Sequence, residues 1–364
     1  MRIVMTTDSA GGVWAYTMEL CRALEPHGHE IVLACLGGPP ADEERLDAKC
    51  LANVTLEESH FRLEWMEDPW DDLQRASEWL RRLLRRSRAD LLHLNCYGAL
   101  PPACDVPVLL VTHSCVHSWW QATHEKDPGP DWARYRQTVI RALAGADGIV
   151  APTGAMLAAI RNCYPEGDIT GRTEVIHNGV DPGGWSCMPE QAEPFVLGVG
   201  RLWDEGKNLR QLAAVAPALG CPVVIAGAGA LRGEASATGV VMLGTMPRKM
   251  LASCYRRAAI FAHPARYEPF GLAVLEAALS GCPLVLGDIA SLRELWEGAA
   301  VFIASGDEQG WRETLCGLLE DPETRRRLGQ KALARAERYS AAAMAAAYSE
   351  QYRRLAEVPA RGVA

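Results

Sequence analysis

The stretch DPGGWSCMPEQAEP at 181–194 decides how the chain is divided. It carries Pro182, Pro189 and Pro194 beside Gly183 and Gly184, and its apolar residues follow neither a two-residue nor a 3.6-residue repeat. Such a segment reads as a linker. Upstream of it, apolar runs at 2–8, 29–36, 90–95, 106–113, 148–153 and 173–179 alternate with stretches at 11–28, 71–87 and 131–146 whose apolar positions recur at three and four residues. Downstream, strand-like runs return at 195–200, 222–229, 240–245, 259–265, 283–288 and 300–305, and the tail at 322–357 is alanine- and arginine-rich with helical propensity. Alternation of this kind produces parallel sheets covered by helices. The expectation is an α/β chain of two doubly wound, Rossmann-like domains, 1–180 and 195–340, joined by the 181–194 linker. Ligands of open parallel sheets lie beyond the carboxyl ends of the strands, and with two such domains the natural site is the cleft between them.

Composition narrows the function. The 364 residues exceed one ordinary core, and 49% hydrophobic with 23% charged residues is a globular balance. A formal net charge of −8 offers no general basic face, so no nucleic-acid partner is expected and any anionic ligand must be met locally. MRIVMTTD at 1–8 resembles neither a secretory leader nor an anchor, and no later run reaches the ~20 apolar residues of a membrane span, which predicts a cytoplasmic protein. The 12 cysteines include no C-x-x-C pair, and several, such as Cys35, Cys221 and Cys282, adjoin apolar runs; they read as reduced core thiols.

Three stretches carry chemistry. EPFGLAVLE at 268–276 holds two carboxylates, Glu268 and Glu276, inside one apolar-patterned segment. Pro269 occupies a favoured helix start, so the spacing predicts a helix from Phe270 to Leu279 whose first amides, at Phe270, Gly271 and Leu272, favour an anion. At ~1.5 Å of rise per residue the acids stand roughly 12 Å apart. That is about the span from a hexose to the ribose of a nucleotide sugar, and a carboxylate accepts both hydrogens of a vicinal diol. Spacing alone equally allows a helix with ordinary surface acids, although Glu276 sits among small and apolar neighbours where an unpartnered acid is costly. GRLWDEGKN at 200–208 sets Arg201 and Lys207 just past a strand-like run; by composition alone it is a solvated loop, and it is no Walker loop, because Asn208 stands where Ser or Thr is needed. DSAGGVWAYTMEL at 8–20 puts Gly11 and Gly12 between a strand and a helix, where bare backbone can approach a phosphate or a sugar. GAGALRG at 227–233 fails as a dinucleotide fingerprint, since its third glycine is displaced by one position and no acid follows at ~20 residues. No D-x-D is present to hold a metal, and DPWDD at 68–72 reads as a helix start.

Together these stretches resemble the retaining glycosyltransferases of family 4. EPFGLAVLEAALSGCPLV at 268–285 is similar to the E-x7-E signature of that family, DSAGGVWAYTMEL to its first glycine loop, HNGVD at 177–181 to its entry into the linker, GRLWDEGKN to its phosphate-binding stretch, and LLEDPETRRRLGQKALARAERYS at 318–340 to its terminal helices. Their order and spacing span nearly the whole chain. The resemblance implies the GT-B fold: two Rossmann-like domains facing each other across a cleft, acceptor on 1–180, nucleotide sugar on 195–340, and a helix at 341–364 returning to the N-terminal domain. It implies Glu276 on the ribose hydroxyls, Glu268 facing the donor sugar, and the amides of Phe270, Gly271 and Leu272 near the sugar and diphosphate. Arg201 and Lys207 would meet the diphosphate in place of a metal, and Gly11, Gly12 and Gly227 would line the donor pocket. His113, which closes the run at 106–113, would approach the sugar's primary hydroxyl; read without the resemblance it is a local hydrogen-bonding residue. Relatives often carry Asp or Gly where Ser114 stands here, and Gly-Gly and Pro-Glu where SLRELWEG at 291–298 stands, with Glu294 in a position to keep the acid.

Seven of the 11 tryptophans precede residue 133, and the ring faces of Trp14, Trp119 and Trp120 suit an acceptor sugar, while Trp65, Trp70 and Trp79 read as packing residues. Arg81, Arg82, Arg85, Arg86 and Arg88 flank the apolar stripe of Leu73, Ala76, Leu80 and Leu84. They form a solvated face, or a peripheral contact with the inner face of the membrane if the acceptor is lipid-linked. The expected activity is hexosyl transfer with retention from a nucleotide diphosphate sugar, UDP-glucose by default, to a sugar, lipid-linked or small-molecule acceptor, with no cofactor or metal. Two other classes stay open: a sugar-nucleotide epimerase of the same fold and a non-catalytic nucleotide-sugar-binding protein. A dehydrogenase is disfavoured by the missing fingerprint.

Overall fold

The computed structural model describes residues 1–9, 11–169, 171–185, 194–229 and 238–357. The middle of the 181–194 stretch, the glycine run from Ala230 onward and the tail beyond 357 lie outside the described residues. The chain forms two units, one of Met1–Gln121, Lys126–Gly179 and the segment from Ala341, the other of Ala122–Glu125 and Val180–Ser340.

In chain order the first half contains β1 (Arg2–Asp8), α1 (Gly12–Leu24), β2 (Glu30–Leu36), α2 (Asp42–Lys49), β3 (Val54–Glu58), α3 (Trp70–Ser87), β4 (Leu91–Leu94), β5 (Val108–Val111), α4 (Val116–His124), α5 (Ala133–Gly145), β6 (Gly148–Ala151), α6 (Gly154–Cys163) and β7 (Thr173–Val175). The strands pair in parallel in the order β3-β2-β1-β4-β5-β6-β7. Every residue of β4, β5 and β6 is buried, as strands covered on both faces require. Side chains alternate between the faces: Leu92, Leu94, Val108 and Leu110 enter the main core of the unit, while His93 turns to the opposite face and packs against the rings of Tyr348 and Tyr352.

The second half contains β8 (Val196–Val199), α7 (Arg210–Val215), β9 (Val223–Ala226), β10 (Val240–Gly244), α8 (Arg248–Arg257), β11 (Ile260–His263), α9 (Leu272–Leu279), β12 (Leu284–Gly287), α10 (Ala290–Trp296), β13 (Val301–Ile303), α11 (Glu308–Glu320) and α12 (Pro322–Ala336), followed by α13 (Ala341–Glu357). Its sheet is parallel in the order β10-β9-β8-β11-β12-β13. Two cores flank it: Leu197, Phe261, Leu284 and Leu286 fill one face and Val196, Ile260, Ala262 and Val285 the other. Strand order reverses between β1 and β4 in one sheet and between β8 and β11 in the other, and the crevice beyond such a reversal is where open sheets hold ligands.

The strands and helices anticipated from periodicity are all present, with β3, α2, α4, α6, α7, α8, α10 and α11 in addition. α2 buries only Ala48 and β3 buries no residue fully, so neither carries an apolar stripe for a sequence pattern to reveal. The front of the expected linker is not a free connection. Trp185 is 2% exposed, its ring meets Tyr255 edge-on at 5.8 Å, and Val180 bridges Ser340, so the stretch through Trp185 belongs to the second unit. α13 packs on α1 and β5, inside the first unit. Among the described residues no helix is long and apolar enough to cross a membrane.

Candidate functional site

The loops that leave β8 and β11 converge at the strand reversal of the second sheet. The loop after β8 is pinned to the loop after β11 by its backbone and by Asn208. Gly206 O accepts from the amides of Arg266 and Tyr267 at 2.8 and 3.1 Å, and Asn208 Nδ2 donates to Pro264 O at 3.0 Å. Asn208 takes φ 51°, a left-handed conformation that asparagine tolerates better than most residues. Asp204, buried, accepts from Gly206 N at 2.9 Å and from Arg201 Nη2 at 2.7 Å. Arg201 lies 5.0 Å over the ring of Trp203, and its Nε is buried without a partner among the described residues.

Glu268 stands at the centre. Its Oε2 accepts from Lys207 Nζ at 2.5 Å and from His263 Nε2 at 2.9 Å, and its own backbone carbonyl accepts from Ser291 Oγ at 2.5 Å. Burial alone would raise this carboxyl, but the Lys207 ammonium and the His263 hydrogen bond outweigh it and hold Glu268 well below the usual carboxylate range. His263 closes β11 and is 1% exposed; since Nε2 donates to the carboxylate, Nδ1 is buried with no partner among the described residues.

The helix expected from Phe270 begins two residues later, and this is a correction. Phe270 is 3% exposed and packs edge-on against Tyr339 at 5.9 Å, while Gly271 takes φ 90° as the N-cap of α9. The aromatic ring is drawn into the core, and the chain can only turn back into a helix through a left-handed residue, where a Cβ would also meet Val274 Cγ2 at 3.0 Å. Gly271 O accepts from Val274 and Leu275, so the first amides of the helix proper, Leu272 and Ala273, precede the intrahelical ladder. Pro269 is therefore not the first helical residue.

Glu276, on the same helix, is buried; Tyr255 Oη donates to its Oε2 at 3.2 Å, and Arg248 Nε lies 3.7 Å from Oε1 while the guanidinium covers the Trp185 ring at 4.9 Å. Gly227 has a reason of its own to be glycine: at φ 149° a Cβ would fall 1.8 Å from Gly200 O, so the backbones after β9 and β8 are in contact. In the first unit Gly11 caps α1 in extended conformation and Gly12 opens that helix, with nothing within 4 Å of where a Cβ would be. His113, half-buried, follows β5 and donates from Nε2 to Asn95 Oδ1 at 2.8 Å. Trp14 is 6% exposed, which leaves little ring face, whereas Trp119 and Trp120 are half-buried and meet edge-to-face at 5.8 Å. Trp65, expected to pack, is 43% exposed; Trp70 and Trp79 do pack on the core. Glu294 is exposed on α10. Of the Arg81–Arg88 cluster, Arg86 pairs with Glu57 and Arg85 approaches Asp105 at 4.0 Å.

Sequence reading missed His263, Asp204, Ser291, Arg248 and Tyr255. A signal existed for the first two: His263 is a lone histidine within the apolar run at 259–265, as His113 is in that at 106–113, and Asp204 stands three residues after Arg201 within the quoted loop.

Two family models match the chain consecutively, Glycosyltransferase Family 4 over residues 10–183 and Glycosyl transferases group 1 over residues 188–335. The chain belongs to the glycosyl transferases group 1 family. This glycosyltransferase is 26% identical to glycogen synthase of Mycobacterium tuberculosis over 91% of its own length and 89% of that protein. It is 38% identical to D-inositol 3-phosphate glycosyltransferase of Corynebacterium efficiens over 112 residues, 30% of this chain and only 26% of that relative. Among solved structures, sucrose-phosphate synthase from Thermosynechococcus elongatus aligns with TM-score 0.80 and 19% identity over 98% of this chain and 99% of the other. Anabaena HepE in complex with UDP-glucose aligns with TM-score 0.73 and 17% identity over 97% and 100%. The fold of this glycosyltransferase is accordingly GT-B, two parallel-sheet units in one chain.

Proposed function

We propose that this glycosyltransferase moves a hexose from a nucleotide diphosphate sugar to an acceptor hydroxyl with retention at the anomeric carbon, and without a metal. The observation that carries the reading is the cluster of Lys207, Glu268 and His263 beside Arg201 and Asp204, at the strand reversal and ahead of the first amides of α9. A departing nucleoside diphosphate needs positive charge placed in advance, and Arg201 and Lys207 supply it from paired, half-buried positions. Each cation can exchange part of its bond to an acid for a phosphate oxygen, and Arg201 Nε is a spare donor. Glu268 then faces the sugar hydroxyls and Glu276 the ribose, with the Leu272 and Ala273 amides near the diphosphate. His113 approaches the primary hydroxyl. The leaving phosphate takes the acceptor's proton, so the reaction rests on positioning and charge stabilisation rather than on a carboxylate nucleophile.

HepE, which has been solved with UDP-glucose, makes that compound the first donor to try. The acceptor is a sugar, a lipid-linked sugar or a small molecule, bound near Trp119 and Trp120. If it is lipid-linked, the Arg81–Arg88 face of α3 touches an anionic membrane surface, and co-sedimentation with anionic vesicles at low salt checks this. The decisive experiment is a thermal-shift panel of nucleoside diphosphates and their sugars, followed by product analysis with the donor that raises the melting temperature most. Released nucleoside diphosphate together with a new glycoside supports the reading. An isomerised donor without glycoside would make the protein an epimerase, and binding without turnover against every acceptor would make it a sensor.

A further inference from the structure

A row of hydrogen bonds in the first unit runs from α13 to the residue after β5, and the chemistry of its members leaves one place for each proton. Asn95 Nδ2 lies 2.6 Å from Thr6 O, and the Asn95 amide nitrogen donates to Thr6 Oγ1 at 2.7 Å. A backbone carbonyl only accepts, so the Asn95 side chain is oriented with Oδ1 on its other side. That oxygen lies 3.1 Å from His93 Nε2 and 2.8 Å from His113 Nε2. An amide oxygen also only accepts, so both Nε2 atoms carry hydrogen. His93 Nδ1 is then a lone pair, and it takes the hydroxyl hydrogen of Tyr352 on α13 at 2.7 Å. His113 Nδ1 is a lone pair too, with no hydrogen-bond partner among the described residues. The Tyr16 ring stands edge-on against the His113 ring at 4.5 Å and 66°, which restricts its rotation.

We propose that Asn95, oriented by Thr6 and shared with His93, positions His113 as a neutral imidazole bearing its proton on Nε2, so that Nδ1 meets the donor sugar only as a hydrogen-bond acceptor. A lone pair takes a hydroxyl hydrogen and repels a carboxylate, so the donor class is a neutral hexose with a free hydroxyl at that position, not a uronic acid. Burial works in the same direction, since it pushes both His93 and His113 down to about 3 and keeps them uncharged near neutrality. The inference rests on the reading that His113 approaches the donor sugar.

The test uses the full chain labelled with 15N-histidine, in which the two neutral tautomers give distinct ring-nitrogen signals, and His113 is assigned by its disappearance in His113→Gln. The wild type at pH 7 is expected to show His113 and His93 as neutral with hydrogen on Nε2. Tyr352→Phe should move the His93 signals and leave those of His113 in place. Asn95→Leu should mix the His113 tautomers and lower kcat with a neutral hexose donor by about tenfold, the value of one hydrogen bond, with little change in donor KM. A proton on Nδ1 of wild-type His113, or a charged ring at pH 7, overturns the lock. A nucleotide uronic acid used as well as the neutral hexose overturns the specificity. A wild-type rate in His113→Gln removes His113 from the sugar and overturns the underlying reading, while the tautomer signals report on the lock independently.

Discussion

Each sheet ends a buried strand region with a histidine that donates from Nε2 to an oxygen, and the two oxygens differ. In the second unit His263 donates to the carboxylate of Glu268; in the first, His113 donates to the amide of Asn95. A buried carboxylate requires a counter-charge, and Lys207 provides it, with the Arg201–Asp204 pair on the adjoining loop. A buried amide requires only that its hydrogen bonds be complete, which Thr6, His93 and His113 achieve without any charge. The two clusters thus divide by charge: the second unit balances a buried carboxylate with a cation, whereas the first completes a neutral row of hydrogen bonds.

The largest test of that division is Arg201→Ala or Lys207→Ala. Either should lower kcat by roughly 10²–10³, the cost of one preorganised charge-stabilising group, while the circular dichroism spectrum stays that of the folded protein. Near-normal transfer by both variants would break the comparison outright. Next in size is the stability of the ionic cluster. Glu268→Ala strands Lys207 and His263 and should cost about 3 kcal/mol in urea unfolding, most of it recovered in a Lys207→Met, Glu268→Leu double variant. The pH sign follows from the depressed Glu268 carboxyl: its stabilising contribution is complete above the unfolded-state value near 4.3 and is lost as pH falls below it. Acid titration of stability in Glu268→Gln should lack that component.

Gly227→Ala drives a Cβ against Gly200 O and should cost about 2–3 kcal/mol with no ligand involved. A neutral outcome would mean that the β8 and β9 loops yield to each other. His93 sharpens the other side of the comparison. Its folded-state value is lowered to about 3, so between pH 6.5 and 5 only the unfolded chain takes up the proton, and stability should fall by about 2 kcal/mol on this account. The slope should flatten in His93→Leu, measured by urea titration at each pH. The smallest effect is expected at the second acid: Tyr255→Phe removes one hydroxyl from Glu276 and should cost about 1 kcal/mol or less.

Much of the fold was legible because buried parallel strands are apolar at nearly every residue, and the segments at 2–8, 259–265 and 283–288 carry that signature in the chain itself. Elements without a buried stripe, α2 and β3, were silent for the same reason. At the candidate site the acids and cations were legible as residue types in a recognisable order, yet their partners were not: Lys207 and Glu268 are 61 positions apart, and their pairing exists only because β8 and β11 lie side by side. The displaced start of α9 was likewise hidden, since the proline rule is local and the pull of Phe270 into the core beside Tyr339 is not.

The amino-acid order by itself determined the alternation of strands and helices, the resemblance to a sugar-transferring family and the list of charged residues, because periodicity and local motif are properties of neighbours along the chain. Only the tertiary structure decided which charges face each other, where α9 begins and which oxygens the histidine rings meet. Those depend on oxygens contributed by distant segments, such as Tyr352 meeting His93 across 259 positions, and no local pattern encodes such a distance.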